Sequence, residues 1–280
     1  MRAPGERQKQ FAYRYLVQGP LRPAAKAAWY AALFLERRVS SIFGGPSSRD
    51  DHSELTAVIK TFERPSHCAA LIASIRRFHP NLRIIVVDDS KEPGRYSDVE
   101  VVRLPFDSGV GAGRQAGLER VHTQFVLNLD DDFLFYRGTR LAEALQILRE
   151  HDALDVLGGQ VVDLPLFITH NFRDAQLHPH SQKPKIALGT RIGPVEVMDK
   201  VSNFFVARTN AIRLVGWDAE LKRLDHADFF TRAKGRLVSG LWDRFRVLHV
   251  RDPFDSLYLA HRHNFTQDLA VLAGRYPGID

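Results

Sequence analysis

The 280-residue sequence predicts an α/β fold: a mainly parallel central sheet flanked by helices, as one domain with an N-terminal helical extension. Three observations carry this. From residue 53 onward, short apolar runs alternate with amphipathic segments of helical length. Acidic residues in that region collect at the carboxyl ends of the apolar runs. A composition of 44% hydrophobic and 26% charged residues is that of an ordinary globular chain able to bury a sizeable core.

Residues 1–52 stand apart. The segment "LRPAAKAAWYAALFLERRVSSIF" is Ala-rich, starts near Pro23, and sets Trp29, Leu33, Phe34 and Leu35 between Arg22 and Lys26 on one side and Arg37 and Arg38 on the other. Such a helix serves either a membrane interface or packing on the main domain or a second subunit. "GGPSSRDD" after it reads as a linker. The apolar run 27–35 is too short to span a bilayer and lacks the layout of a signal peptide. Residues 1–51 hold nine Arg or Lys against four Asp or Glu, so they supply +5 of the net charge of +6. A basic tail on a near-neutral domain points to an anionic surface, such as lipid, met through residues 20–43. It does not point to nucleic acid, because no basic-aromatic module accompanies it. The single cysteine, Cys68, excludes an intramolecular disulfide and a thiolate metal cluster.

The main domain is expected over residues 53–270, with 271–280 as a tail. "LTAVIKTF" (55–62) reads as a buried strand and "SHCAALIASIRRF" (66–78) as a helix started by Ser66. Strands follow at 82–90 and 99–105, then a helix at 111–122 after a Gly-rich turn, and a fourth strand in "QFVLNLDDD". A helix at 137–151 and a strand at 154–164 continue the alternation.

In sheets of this kind ligands bind beyond the carboxyl ends of the strands. Asp88, Asp89 and Asp130 to Asp132 all stand there. Adjacent carboxylates repel one another, and a hard divalent cation shared with a substrate's phosphates is one way to hold them together. "GVGAGRQAG" (109–117) opens a helix with closely spaced glycines, which suits either a diphosphate approached by backbone amides and Arg114, or a tight turn with close helix packing. It lacks the full dinucleotide fingerprint. "LDHADFF" (224–230) offers Asp225, His226 and Asp228 as candidate general bases, or else an amphipathic helix with an acidic edge. His249 lies inside the apolar "VLHVRD"; His261 and His263 have no metal-binding spacing.

Taken together, "KTFERP", "IRRFHPNLRIIVVDDS", "GVGAGRQAGLERVHTQFVLNLDDDFLF", "VSNFFVARTNAIRLVGWDAELKRLDHADFF" and "VLHVRD" resemble family 2 glycosyltransferases of the GT-A fold. Within that family they are most similar to the β-1,4-N-acetylgalactosaminyltransferase branch. The resemblance runs from about residue 55 to 250 and is poor over 165–195. It implies inverting transfer of a sugar, with N-acetylgalactosamine favoured, from a UDP-sugar to a glycan or lipid-linked glycan, dependent on Mn²⁺ or Mg²⁺. By resemblance, Thr61 and Glu63 touch the nucleotide, Asp88 and Asp89 hold the nucleoside, and Arg114 lies near the nucleotide or diphosphate. Asp130 and Asp132 match the D-x-D element, with Asp132 the principal metal ligand and His249 completing the metal site. Asp228 matches the base, although "HADFF" stands where many members carry Glu-Asp, which leaves Asp225 and His226 as alternatives. Members of the branch carry a spanning anchor; its absence here implies a cytoplasmic enzyme at the inner membrane face. A sugar-phosphate nucleotidyltransferase and an inactive glycan-binding module of the same fold are the rival readings.

Overall fold

A computed structural model describes residues 19–42, 52–170, 172, 173 and 175–276. The expected linker at 44–51 lies outside the described residues, as do the side chains of Arg37 and Arg38. The central sheet begins with β1 (Leu55–Thr61), β2 (Arg83–Asp88), β3 (Glu100–Arg103) and β4 (Phe125–Asp130), ordered β3-β2-β1-β4 and wholly parallel. Helix α1 is the N-terminal Arg22–Ile42; α2 (Pro65–Phe78) and α3 (Val110–Glu119) make the crossovers into β2 and β4. The chain leaves β1 toward β2 on one side and returns to β4 on the other. That reversal opens a crevice at the carboxyl ends of β1 and β4.

Beyond β4 the sheet is mixed. β5 (Phe133–Leu134), helix α4 (Leu141–Glu150), β6 (Val156–Leu164) and β7 (Ile168–His170) come next in the chain. β8 (Arg191–Ile192), β9 (Val195–Met198) and β10 (Phe205–Arg208) follow, then α5 (Thr209–Val215), α6 (Asp225–Ala233) and β11 (Ser239–Val250). β10 sits antiparallel between β4 and β6, and β11 runs parallel to β6, so the long strands β1, β2, β4, β6 and β11 share one direction. Helices α7 (Ser256–Arg262) and α8 (Thr266–Arg275) end the described chain. The expected boundary at residue 270 therefore falls inside a helix. The helix expected at 137–151 starts only at Leu141, because Thr139 closes a turn on Tyr136 through its backbone and hydroxyl.

Strand alternation sorts the core onto two faces. Leu55, Ala57 and Ile59 of β1 pack with Ile84, Val86, Leu127 and the apolar side of α2; Val58, Ile85, Val87 and Val126 face α3, α5 and α6. The glycines of α3 serve this second face. A Cβ on Gly117 would come within 2.4 Å of Val58 Cγ1, and one on Gly111 within 1.9 Å of the Asp218 carbonyl. Gly109 takes φ +100°, which a side chain would strain.

Helix α1 is not separate from the domain. Leu33 is buried among Leu134, Val162, Leu164, Leu248 and Val250. Trp29 Nε1 donates to the Arg251 carbonyl at 2.9 Å, and the Tyr30 hydroxyl donates to Asp252 at 2.6 Å. Burying an apolar side chain of this size stabilises by roughly 1.5–3 kcal/mol. No described helix is long and apolar enough to cross a membrane.

Candidate active site

The three carboxylates at the end of β4 diverge: Asp130 meets Arg114, Asp131 and Asp132 share Arg64, and Asp132 also meets His249. Asp130 accepts from Arg114 Nη2 at 2.6 Å and from Asn203 Nδ2 at 3.0 Å. Asp131 is buried and accepts from the Thr61 hydroxyl at 2.7 Å and from Arg64. Asp132 accepts from the other arm of Arg64 at 3.0 Å and lies 3.2 Å from His249 Nε2. Burial drives the Asp131 carboxyl up to about 6 against the pull of Arg64. Asp132 is equally buried, yet His249 and Arg64 together hold it well below the ordinary carboxylate range. Repulsion among the three is thus offset pair by pair, and a continuous apolar strand can end in them.

Asp132 and His249 are brought together by pairing of β5 with β11, which sets Phe133 opposite His249. Behind His249, Asp163 of β6 accepts from Nδ1 at 2.7 Å; it also contacts His170 Nε2 at 2.9 Å and Arg251 at 3.3 Å. Burial disfavours the His249 imidazolium, but Asp132 and Asp163 outweigh it and raise the pKa to about 10. Asp163 itself, despite burial, is drawn to about 2 by the two histidines. With the Nε2 proton of that imidazolium displaced, the Nε2 of His249 and a carboxylate oxygen of Asp132 would present a nitrogen–oxygen pair with a hydrogen-bonded outer partner, the donor set of a metal site. Among the described residues no three His, Cys, Asp or Glu side chains converge on one point. Two protein donors suit a cation that takes its remaining ligands from phosphates and water, and do not make a closed cage.

The opposite wall is α6. Asp225, its first residue, is buried and accepts from Arg114 Nη1 at 2.6 Å. Arg114 therefore bridges Asp225 to Asp130; it lies over the Trp217 ring, 4.8 Å from its centroid, and is only 2% exposed. Burial outweighs Arg114 at Asp225 and raises its pKa. His226, the next residue, lines the crevice with Nε2 on the Val201 carbonyl at 2.8 Å; burial, Lys200 and Arg114 keep its pKa well below the ordinary value.

Several expected site residues stand elsewhere. Asp228, one turn along α6, points away from the crevice. It is wholly buried and accepts from Arg232 at 2.8 Å, Arg275 at 2.6 Å and the Tyr276 hydroxyl at 2.8 Å. At 100° per residue Asp225 and Asp228 lie only about 60° apart around the helix, so it is their partners that divide them: the arginines of α6 and α8 claim the second. Asp88 caps a turn, accepting from the Ser90 and Gly94 amides at 2.9 Å each. Glu63 is exposed and accepts from the Lys91 amide. Asp89 lines the crevice but is held by Lys60 at 2.5 Å and by the Gly109 amide at 2.7 Å. The first amides of α3 are spent on the protein: Val110 donates to the Lys222 carbonyl and Gly111 to that of Leu221. The glycine-rich turn thus serves packing, and Arg114, which lines the crevice, spends both terminal nitrogens on carboxylates.

Other crevice residues went unsignalled. Helix α7 brings Tyr258 and Arg262 over the opening; Tyr258 stacks on Arg64 at 3.7 Å, and Arg262 donates to the Tyr258 hydroxyl at 3.1 Å. Arg262 makes no carboxylate ion pair among the described residues. Phe62, which lines the crevice, forms an aromatic cluster with Phe106 and His261, with ring centroids 5.2–5.9 Å apart. Arg64 could have been found, since "KTFERP" sets it after a strand end; Asp163, Asn203 and Arg262 had no local signal.

A family model for glycosyl transferase family 2 matches residues 56–214, more than half of the chain and the part that builds β1 to β10. The chain belongs to glycosyl transferase family 2. This family 2 chain is 35% identical over 239 residues to beta-1,4 N-acetylgalactosaminyltransferase 1 of Rattus norvegicus, covering 78% of the chain and 45% of that protein. It is 34% identical over 241 residues to beta-1,4 N-acetylgalactosaminyltransferase 2 of Mus musculus, covering 82% and 46%. It therefore spans about half the length of these relatives. The crystal structure of S. aureus TarS 1-349 in complex with UDP-GlcNAc superposes with a TM-score of 0.56 at 19% identity, over 71% of the chain and 59% of TarS. The fold is that of the GT-A glycosyltransferases, a mixed α/β sheet flanked by helices.

Proposed function

We propose that this protein transfers an N-acetylhexosamine, with N-acetylgalactosamine favoured, from a UDP-sugar to a hydroxyl of a glycan or lipid-linked glycan in one inverting displacement. The observation that carries the proposal is that Asp132 with His249 and Asp225 with Arg114 line two walls of one crevice at the β1/β4 switch point. The names of the relatives favour the donor sugar, and the UDP-GlcNAc complex of TarS favours a uridine nucleotide.

Asp132 and His249 would hold a Mn²⁺ or Mg²⁺, which supplies positive charge to the departing diphosphate. Arg262, with no carboxylate of its own, adds a second positive charge over the same opening. The aromatic cluster of Phe62, Phe106 and His261 offers a stacking surface for a base. Asp225 takes the acceptor hydroxyl's proton as its oxygen attacks the anomeric carbon. Its raised pKa makes it a better base than a solvated carboxylate, and Arg114 fixes its orientation. Asp228, bonded to Arg232, Arg275 and Tyr276, is not among the residues that line the crevice, which favours Asp225. General-base assistance supplies about 10²- to 10⁴-fold, and positioning and charge supply the rest.

The test is UDP release measured over a panel of UDP-sugars with Mn²⁺ and with EDTA. Turnover of one UDP-N-acetylhexosamine that stops with chelator is the expected result. Release of pyrophosphate from a nucleoside triphosphate and a sugar phosphate would replace the proposal by nucleotidyl transfer. Glycan binding with no turnover of any donor would replace it by a binding module.

A further inference from the structure

Helix α1 is apolar on two sides, and the domain covers only one of them. Trp29 and Leu33 face the domain. On the other side Leu21, Ala24, Ala28, Ala31 and Leu35 are all exposed, Leu21 to 53% and Leu35 to 61%. An amphipathic surface helix normally turns charged residues outward, so this second stripe is unexplained by packing. A second apolar outcrop follows a strand that packs against the covered side of the same helix. Leu166, Phe167 and Ile168, at the turn between β6 and β7, are 65%, 52% and 50% exposed. They follow directly on Leu164, which packs in the same small cluster as Leu33. Three consecutive large apolar side chains at an exposed hairpin tip are costly in water and characteristic of a surface that meets another phase or partner.

Charge selects the partner. Arg22 and Lys26 are exposed on α1, Arg251 is exposed at the crevice lip, and residues 1–51 carry an excess of five positive charges in the sequence. Exposed apolar side chains on a helix that also carries exposed cations match a bilayer with anionic headgroups; a second copy of this chain would bring the same positive charge against itself. The position of the patch matters too. Trp29 and Tyr30 hydrogen-bond to Arg251 and Asp252, and both of those residues line the crevice. The helix that would lie on the membrane thus holds one lip of the site.

We propose that α1 and the β6–β7 turn form one anionic-membrane docking surface that sets the crevice against the bilayer, so that the acceptor is a membrane-embedded, lipid-linked glycan. The second half of this rests on reading the crevice as a transfer site; the docking itself does not. The full chain is tested by co-sedimentation with phosphatidylcholine vesicles with and without phosphatidylglycerol. Binding to the anionic vesicles alone, lost at high salt, is expected. Leu35→Asp and the pair Leu166→Asp/Phe167→Asp should each weaken it by on the order of tenfold or more. UDP binding and thermal unfolding, measured on the same samples, should stay as in the parent. Absence of vesicle binding by the parent overturns the proposal, as does binding that both variants retain. A concentration-dependent doubling of mass in light scattering, abolished by either variant, would overturn it in favour of a second copy. Failure of vesicle binding with UDP-sugar turnover intact would leave the transfer reading standing, and loss of turnover with vesicle binding intact would do the reverse.

Discussion

Asp163 Oδ1 accepts the Nδ1 proton of His249 at 2.7 Å, which turns Nε2 toward Asp132 at 3.2 Å. A strand end on β6 thereby fixes the tautomer and orientation of a side chain on β11. Asp163→Asn should weaken Mn²⁺ binding in the presence of UDP by about 10- to 100-fold, because the ring loses its anionic partner. Mn²⁺ titration followed by electron paramagnetic resonance reads this directly. UDP binding in EDTA should not change. Mn²⁺ affinity equal to the parent's would remove Asp163 from the site.

The two aspartates of α6 should fail in different ways. Asp225→Asn should keep UDP binding while transfer falls by about 10²- to 10⁴-fold, with some loss of stability because buried Arg114 keeps only Asp130 as its partner. Asp228→Asn strips the partner from Arg232, Arg275 and Tyr276 and leaves two cations with less compensation. Loss of a buried pair of this kind costs about 3–5 kcal/mol, to be read from urea unfolding. A stable Asp228→Asn enzyme with no transfer would reverse the two assignments.

Gly117→Ala tests the close approach of α3 to β1. The added methyl meets Val58 Cγ1 at 2.4 Å, and the neighbouring strand is wholly buried. Overpacking of this kind costs about 1–3 kcal/mol, more than the gain of about 1 kcal/mol in helix propensity over glycine. A variant more stable than the parent in urea would show that the helix can move away.

Acid should loosen the C-terminal helices first. Arg223 and Lys222 hold Asp107 below its ordinary value of 3.8 against burial, and the Glu220 amide and Arg275 do the same for Asp218. A carboxylate whose folded pKa is depressed adds stability that is complete above its unfolded pKa of about 3.9 and is lost as pH falls through the folded one. Stability should therefore decline below about pH 4, and Asp218→Asn should flatten that decline. Hydrogen exchange of α8 across pH 3 to 6 checks it; protection unchanged over that range would refute the assignment.

Local sequence determined the frame: short continuous apolar runs in β1, β2 and β4, amphipathic segments in α2 and α3, and acids at strand ends that mark the crevice. These signals are short-range, and burial of both faces of the strands enforces them. It also determined the family motifs that bring Asp132 and His249 into view and that put Asp228 ahead of Asp225 and His226 as the base. Tertiary structure alone decided which carboxylate faces the crevice. Asp225 and Asp228 are three residues apart on one helix, and only the arginines of α3 and α8, over a hundred and nearly fifty residues away, assign them to different tasks. The antiparallel insertion of β10, the use of the glycine-rich amides by residues 221 and 222, and the arrival of Asp163 behind His249 are decided in the same way. Hydrogen-bond partners that remote leave no periodicity in the chain, because their spacing is set by packing between elements and not by the geometry of any one of them.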